Sequence, residues 1–160
     1  MPGRPATVLW ARSIGCLELS TAPGGSESSA VLESLDYLYL PAPDIDASIK
    51  FYTETLGGDL LWRVRDGSTW VAAVRLAGSA PVVLLANHLQ AGAGLLVYRV
   101  NDLEATQRTL KEHGWSIEGV RFEIPQGPCI VFRDPGGQRL AAYQLVRPFM
   151  NTHFEGRFDT

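Results

Sequence analysis

From Leu35 onward, apolar positions fall into strand-length runs, interrupted twice by stretches with helical spacing. Leu35 to Leu40 is rich in Tyr and Leu, which suit a pleated, half-buried surface, and predicts a strand. Pro41 and Pro43 close it, because neither has an N–H to give to a ladder. Asp44 is an N-cap for the helix that follows. Ile45, Ile49, Tyr52 and Leu56 recur on one helical face, and Gly57-Gly58 ends the helix in the conformation glycine tolerates best. Strands over Asp59 to Val64, Thr69 to Leu76 and Pro81 to Asn87 come next, separated by turns at Asp66-Gly67-Ser68 and Ala77-Gly78-Ser79.

The order then returns. Leu95 to Val100 predicts a strand, Asp102 caps a helix running to His113, and Gly114 stops it. Strands over Ser116 to Ile124, Pro128 to Arg133 and Arg139 to Val146 follow, with Asp134-Pro135-Gly136-Gly137 as the tight turn before the last. Asp44 falls on Asp102, 58 residues on, and with it Ile45 on Leu103, Asp46 on Glu104 and Ala47 on Ala105. A repeat of that period is the mark of one supersecondary unit used twice, with the cleft between the copies as the first place to look for function. The reading is an α+β domain of two βαβββ modules, about 34–90 and 94–146.

The ends differ from this core. Residues 1–33 form an N-terminal arm and a Gly/Ser linker, Thr21 to Ser29. Within the arm, Thr7 to Ser20 can supply a strand for an edge of the sheet or for a second subunit, or remain a mobile extension. Residues 147–160 read as a polar C-terminal tail with two isolated phenylalanines, Phe149 and Phe154, that anchor on the domain or on a partner.

Composition narrows the class. With 160 residues, 46% apolar and 19% charged, the chain has enough material for one globular domain with a real core. A net charge of -3 without a basic stripe argues against nucleic acid. No run approaches the ~20 apolar residues of a membrane span, so no membrane partner is expected. No secretory signal is legible, since Arg12 interrupts the one N-terminal apolar run. Two cysteines, Cys16 and Cys129, make no disulfide framework, and a cytoplasmic setting with reduced thiols is expected.

The order of elements, with Phe51-Tyr52 late in the first helix and Asp134-Pro135-Gly136-Gly137 before the last strand, resembles the vicinal oxygen chelate superfamily. Its members include glyoxalase I, bleomycin-resistance proteins and extradiol dioxygenases. The resemblance covers roughly residues 34–146. It implies a mixed sheet curled around a cleft, helices on the outer face, and a homodimer. In enzyme members, His and Glu from the first and fourth strands of each module hold a divalent metal in the cleft. Carried over here, those positions fall on Tyr37 and Val83 in the first module and on Leu95 and Ala141 in the second. Leu, Val and Ala offer no donor to hard or borderline ions, and a Tyr phenol is protonated near neutral pH. No metal or other cofactor is expected at the family's site.

Strand alternation extends the lining. If Tyr37, Val83, Leu95 and Ala141 face the cleft, so do Tyr39, Leu85, Asn87, Val97, Arg99, Tyr143 and Leu145. Leu38, Leu40, Leu84, Leu96 and Leu140 then lie beneath the helices. The candidate ligand-binding residues are Tyr37, Tyr39, Asn87, His88, Arg99 and Tyr143. The tyrosines offer ring faces and hydroxyls, Asn87 an amide, and Arg99 a guanidinium suited to a carboxylate or phosphate. His88, before the Gly-rich loop joining the modules, is either a titratable contact or a surface residue at a strand end. An apolar concavity with few polar groups suits a small aromatic or anionic ligand. Cys129 reads as a buried structural thiol, and Trp62 and Trp70 as core or interface anchors.

Three functions fit these residues. The first is a metal-free, small-molecule-binding member of the superfamily. The second is a lyase, isomerase or dioxygenase-like enzyme with ligands outside the usual positions, drawn from His88, Asp36 and Glu123. The third is an interaction module acting through the N-terminal arm.

Overall fold

The computed structural model describes residues 30–160, so the expected strand over Thr7 to Ser20, the Gly/Ser linker and Cys16 lie outside the described residues. Eight strands make one curled mixed sheet: β1 Ser34–Pro41, β2 Asp59–Asp66, β3 Thr69–Arg75, β4 Val82–Ala86, β5 Leu95–Val100, β6 Phe122–Ile124, β7 Gly127–Arg133 and β8 Arg139–Gln144. Their order is β2-β3-β4-β1-β5-β8-β7-β6. Each module pairs its first and fourth strands in parallel, β1 with β4 and β5 with β8. The modules meet where β1 runs antiparallel to β5, with Tyr37, Leu38 and Tyr39 opposite Val97, Leu96 and Leu95. Leu38 therefore faces its own repeat partner, and a pseudo-two-fold axis passes through that pair.

Two helices cover one face. α1, Ile45–Lys50, and α2, Leu103–Glu112, start identically: Asp44 and Asp102 each accept a hydrogen bond from the backbone N–H three residues on, at 3.0 Å. Ile45 and Ile49 of α1 pack with Leu38, Leu40, Val83 and Leu85. Leu103 and Leu110 of α2 pack with Val100, Ile130, Phe132 and Leu140. The opposite, concave face carries a third apolar cluster to which no helix contributes: Leu95, Val97, Cys129, Val131, Ala141 and Tyr143, flanked by Tyr37 and Tyr39.

Four local features depart from the sequence reading. The first helix ends in a π-helical turn, Phe51–Thr55, in which Leu56 N–H reaches back five residues to the Phe51 carbonyl at 3.1 Å. The extra residue in that turn carries Leu56 off the buried face, and it is 49% exposed. The strand expected from Ser116 shrinks to β6, because Gly119 takes φ 69° and breaks the extended run.

The third departure corrects the expected lining. Leu38 registers with Val83 and Leu40 with Leu85, so Val83 and Leu85 lie beneath α1 and not in the cleft. Val82 and Leu84 register with Tyr37 and Tyr39 and take the concave side. The β1–β4 register is one residue longer than its β5–β8 equivalent: Tyr37 pairs with Val82, whereas Val97 pairs with Ala141. The true counterpart of Ala141 is thus Leu84. Val82-Val83-Leu84-Leu85 is apolar on both faces, so alternation carries no information on this strand.

The fourth concerns the tail. A 3₁₀ turn, Pro148–Asn151, is followed by a segment that ends as a parallel bridge on the outer edge of β2, Arg63 with Phe158. Phe154 packs on Trp62 with ring centroids 5.3 Å apart, so it anchors on the domain, while Phe149 stays 65% exposed.

Candidate functional site on the concave face

The polar chemistry of the concave face starts from a bulge. Between Leu35 opposite Tyr98 and Tyr37 opposite Val97, β1 holds one extra residue, Asp36. The bulge turns Asp36 toward the same face as Tyr37. Its Oδ2 accepts a hydrogen bond from the Tyr143 hydroxyl, and its Oδ1 accepts one from Ser34 Oγ at 2.6 Å. Arg99 Nε lies 3.7 Å from Asp36 Oδ2 and 3.6 Å from Glu33 Oε2. At those separations it forms ion pairs but no hydrogen bond, and the nitrogen is buried. The guanidinium expected to be open to a ligand is thus answered by two carboxylates.

The three tyrosines share this face. The Tyr37 and Tyr143 rings stand 6.3 Å apart at 45°. Tyr37 donates its hydroxyl to Asn151 Oδ1 at 3.2 Å. Tyr39 OH and His88 Nε2 are hydrogen-bonded at 3.0 Å, with the rings 5.8 Å apart. Burial pushes the Tyr39 phenol up to about 12. Tyr37 is raised by burial and by the Asp36 charge, against a hydrogen bond from Gln126 and the Arg99 charge, which lower it. Tyr143 is raised by burial and by its bond to Asp36. Burial is the largest cause for each and disfavours the phenolate, so all three stay protonated at neutral pH.

Of the residues singled out from the sequence, Tyr37, Tyr39, His88, Arg99 and Tyr143 come together on the concave side. Asn87 is spent elsewhere: its Oδ1 accepts from Trp70 N–H at 2.8 Å and its Nδ2 donates to the Ser68 carbonyl at 3.0 Å, tying β4 to the β2–β3 hairpin. Asp36, His88 and Glu123 do not converge. Asp36 is bound to Tyr143, His88 to Tyr39, and Glu123 pairs with Arg147 at 2.8 Å beside the β6 edge. Cys129 is 2% exposed beside Tyr143, its cross-strand neighbour, with its thiol pushed up by burial to about 12. Sequence reasoning missed Asn151 and Gln126; neither residue type is distinctive, and only the phenylalanines Phe149 and Phe154 hinted that the tail docks, of which Phe154 does.

The family's metal does not fit here. At its four positions stand Tyr37, Leu84, Leu95 and Ala141, three of which have no donor atom. Among the described residues, no three His, Cys, Asp or Glu side chains are placed to hold an ion. No helix of the described residues is long and apolar enough to cross a membrane.

Comparison with known proteins agrees with this fold. Residues 34–141 match the family model described as the glyoxalase/bleomycin resistance protein/dioxygenase superfamily. No curated protein matches the chain. Among solved structures it is similar to methylmalonyl-CoA epimerase from Mycobacterium tuberculosis, with a TM-score of 0.63 and 19% identity over 78% of this chain and 95% of that one. It is also similar to a glyoxalase/bleomycin resistance protein/dioxygenase superfamily member from Vibrio splendidus 12B01, with a TM-score of 0.51 and 17% identity over 68% and 96%. A 2,3-dioxygenase from Pseudomonas sp. KL28 gives a TM-score of 0.57 and 19% identity over 77% of this chain but 46% of its own. At such identities the likeness speaks for the fold alone. Together with the match across both modules, it means that the chain belongs to the glyoxalase/bleomycin resistance protein/dioxygenase superfamily.

Proposed function

We propose that the protein binds a small, uncharged aromatic molecule on its concave face, without a metal. One observation carries this reading: the rings of Tyr37, Tyr39 and Tyr143 line one side of the sheet over a floor of Leu84, Leu95, Val97 and Ala141, with the Tyr37 hydroxyl held by the exposed Asn151 amide. Flat rings and phenolic hydroxyls suit an arene that bears a hydrogen-bond acceptor. The anionic ligand expected from Arg99 loses support, because Glu33 and Asp36 already face that guanidinium.

An enzymatic role for Asp36 is not favoured, since both of its oxygens accept hydrogen bonds. The test is fluorescence titration with 6-propionyl-2-dimethylaminonaphthalene, a neutral aromatic ketone, against 1-anilinonaphthalene-8-sulfonate, its anionic counterpart. The neutral dye should bind more tightly, and Tyr39→Leu should weaken it. Preference for the sulfonate, or indifference to Tyr39→Leu, would refute the reading.

We take the protein to act as a cytoplasmic homodimer. Exposed Trp115, Val120 and Phe122 in the second module support a contact between subunits there. Sedimentation equilibrium should give twice the chain mass.

A further inference from the structure

We propose that the C-terminal segment after Arg147 is the cover of the cleft, and that a ligand enters by taking the place of its middle while both ends stay fastened. The proposal rests on the reading of the concave face as a binding site. The segment starts at one rim of the sheet. Arg147 Nε donates to the Pro125 carbonyl at 2.7 Å, and its Nη2 to the Ile124 carbonyl at 2.9 Å and to Glu123 at 2.8 Å. The N–H groups of Val146 and Arg147 both bond the Gln126 carbonyl. It finishes at the opposite rim. Gly156 N–H bonds the Leu61 carbonyl at 3.1 Å, Arg63 N–H the Arg157 carbonyl at 2.8 Å, and Asp159 N–H the Arg63 carbonyl at 2.9 Å. Asp159 Oδ2 also takes the Arg65 N–H at 2.9 Å.

Between these rims the chain crosses the concave side. Asn151 reaches Tyr37 on the central strand β1, and Phe154 reaches Trp62 on the edge strand β2. Trp62 shares the face of Tyr39 through the register Trp62–Ala73–Leu84–Tyr39. The middle is held by one exposed hydrogen bond and one ring contact, with His153 stacked edge-on against Phe154 at 4.8 Å. The rims are held by backbone ladders and a buttressed arginine. A segment fastened this way opens in its middle first.

The two weak fastenings also describe what displaces them. Asn151 presents an amide oxygen to the Tyr37 hydroxyl, and Phe154 presents a benzene ring to Trp62. An uncharged arene carrying a carbonyl oxygen supplies both groups at once. The segment thus occupies the cleft as an internal stand-in for the ligand.

The experiment uses the full chain and 6-propionyl-2-dimethylaminonaphthalene. The Asn151→Ala/Phe154→Ala variant should bind the dye about tenfold more tightly than the parent, because the competing contacts are gone. In the parent, saturating dye should speed amide exchange at Thr152 to Glu155 and leave Arg63 and Asp159 unchanged. Equal or weaker binding by the double variant, or slower exchange of the middle on dye addition, overturns the cover. If Tyr39→Leu weakens the dye while the double variant shows no gain, the cover fails and the binding site stands. If Tyr39→Leu binds as its parent does, the site itself fails and the cover with it.

Discussion

Tyr143, on the last strand of the second module, donates its phenolic hydrogen to Asp36, in the bulge of the first strand of the first. The bond crosses the module boundary beside β5, the strand that separates β1 from β8. Tyr143 is fully buried, whereas the Asp36 side chain is 18% exposed, so water can partly replace a lost donor. Tyr143→Phe should therefore cost about 1.5 kcal/mol, the low end for a hydrogen bond to a charged group. Urea denaturation of Tyr143→Phe, Asp36→Asn and the pair should show coupling between the two positions. Strict additivity would mean that the contact is idle.

A second expectation concerns metal. With Leu84, Leu95 and Ala141 at three of the four family positions, added Mn²⁺, Co²⁺ or Zn²⁺ should leave the thermal midpoint unchanged. A site a hundredfold saturated would add about 2.7 kcal/mol and move the midpoint by several degrees. Such a rise, abolished by Tyr37→Phe, would restore an ion to the cleft.

What was legible in the sequence follows from what local patterns encode. Asp44 and Asp102 announced both helices because capping needs one carboxylate three residues before a backbone donor, a purely local condition. The 58-residue repeat gave β1 and β5 the same phase, and their pairing centres on Leu38 and Leu96. On β4 alternation was silent: four consecutive aliphatics fit either face, and parallel register with β1 decides between them. The Asp36 bulge was equally silent, since a bulge is a relation between two strands. The tail looked polar because it is polar. It docks through one phenylalanine, one amide and an exposed strand edge, none of which leaves a periodic signal.

Gly127 sets a third expectation. A Cβ there would lie 2.0 Å from the Gln144 carbonyl oxygen and 3.0 Å from Val146 Cγ2. Both neighbours belong to β8 and the stretch just beyond it, so the backbone itself must shift. Gly127→Ala should cost roughly 1–3 kcal/mol, the usual range for overpacking. Gly136→Ala, whose Cβ would meet only Asp134 Oδ1 at 3.3 Å, should cost far less. Urea midpoints of the two variants make the comparison, and equal midpoints would contradict the close approach.

The last expectation is a loss of stability in alkali. Burial raises the Cys129 thiol from 9.0 to about 12 and the Tyr39 phenol from 10.0 to about 12. In both groups the neutral, protonated form belongs to the folded state. The unfolded chain releases these protons at their ordinary values while the folded chain still holds them. Above about pH 9 the unfolded state therefore binds fewer protons, and stability declines as pH rises. Below about pH 9 the contribution of Cys129 is fully present; it is lost as pH climbs toward 12, at up to about 1.4 kcal/mol per pH unit. Tyr39 joins from about pH 10. Urea midpoints across this range should stay level to about pH 8.5, fall from about 9, and fall more steeply beyond 10. Cys129→Ala should start from a lower plateau, because it leaves a void beside Tyr143. Its decline should begin only near pH 10, where the phenols take over. Identical onsets in the two proteins would mean that the thiol ionises as readily in the fold as outside it.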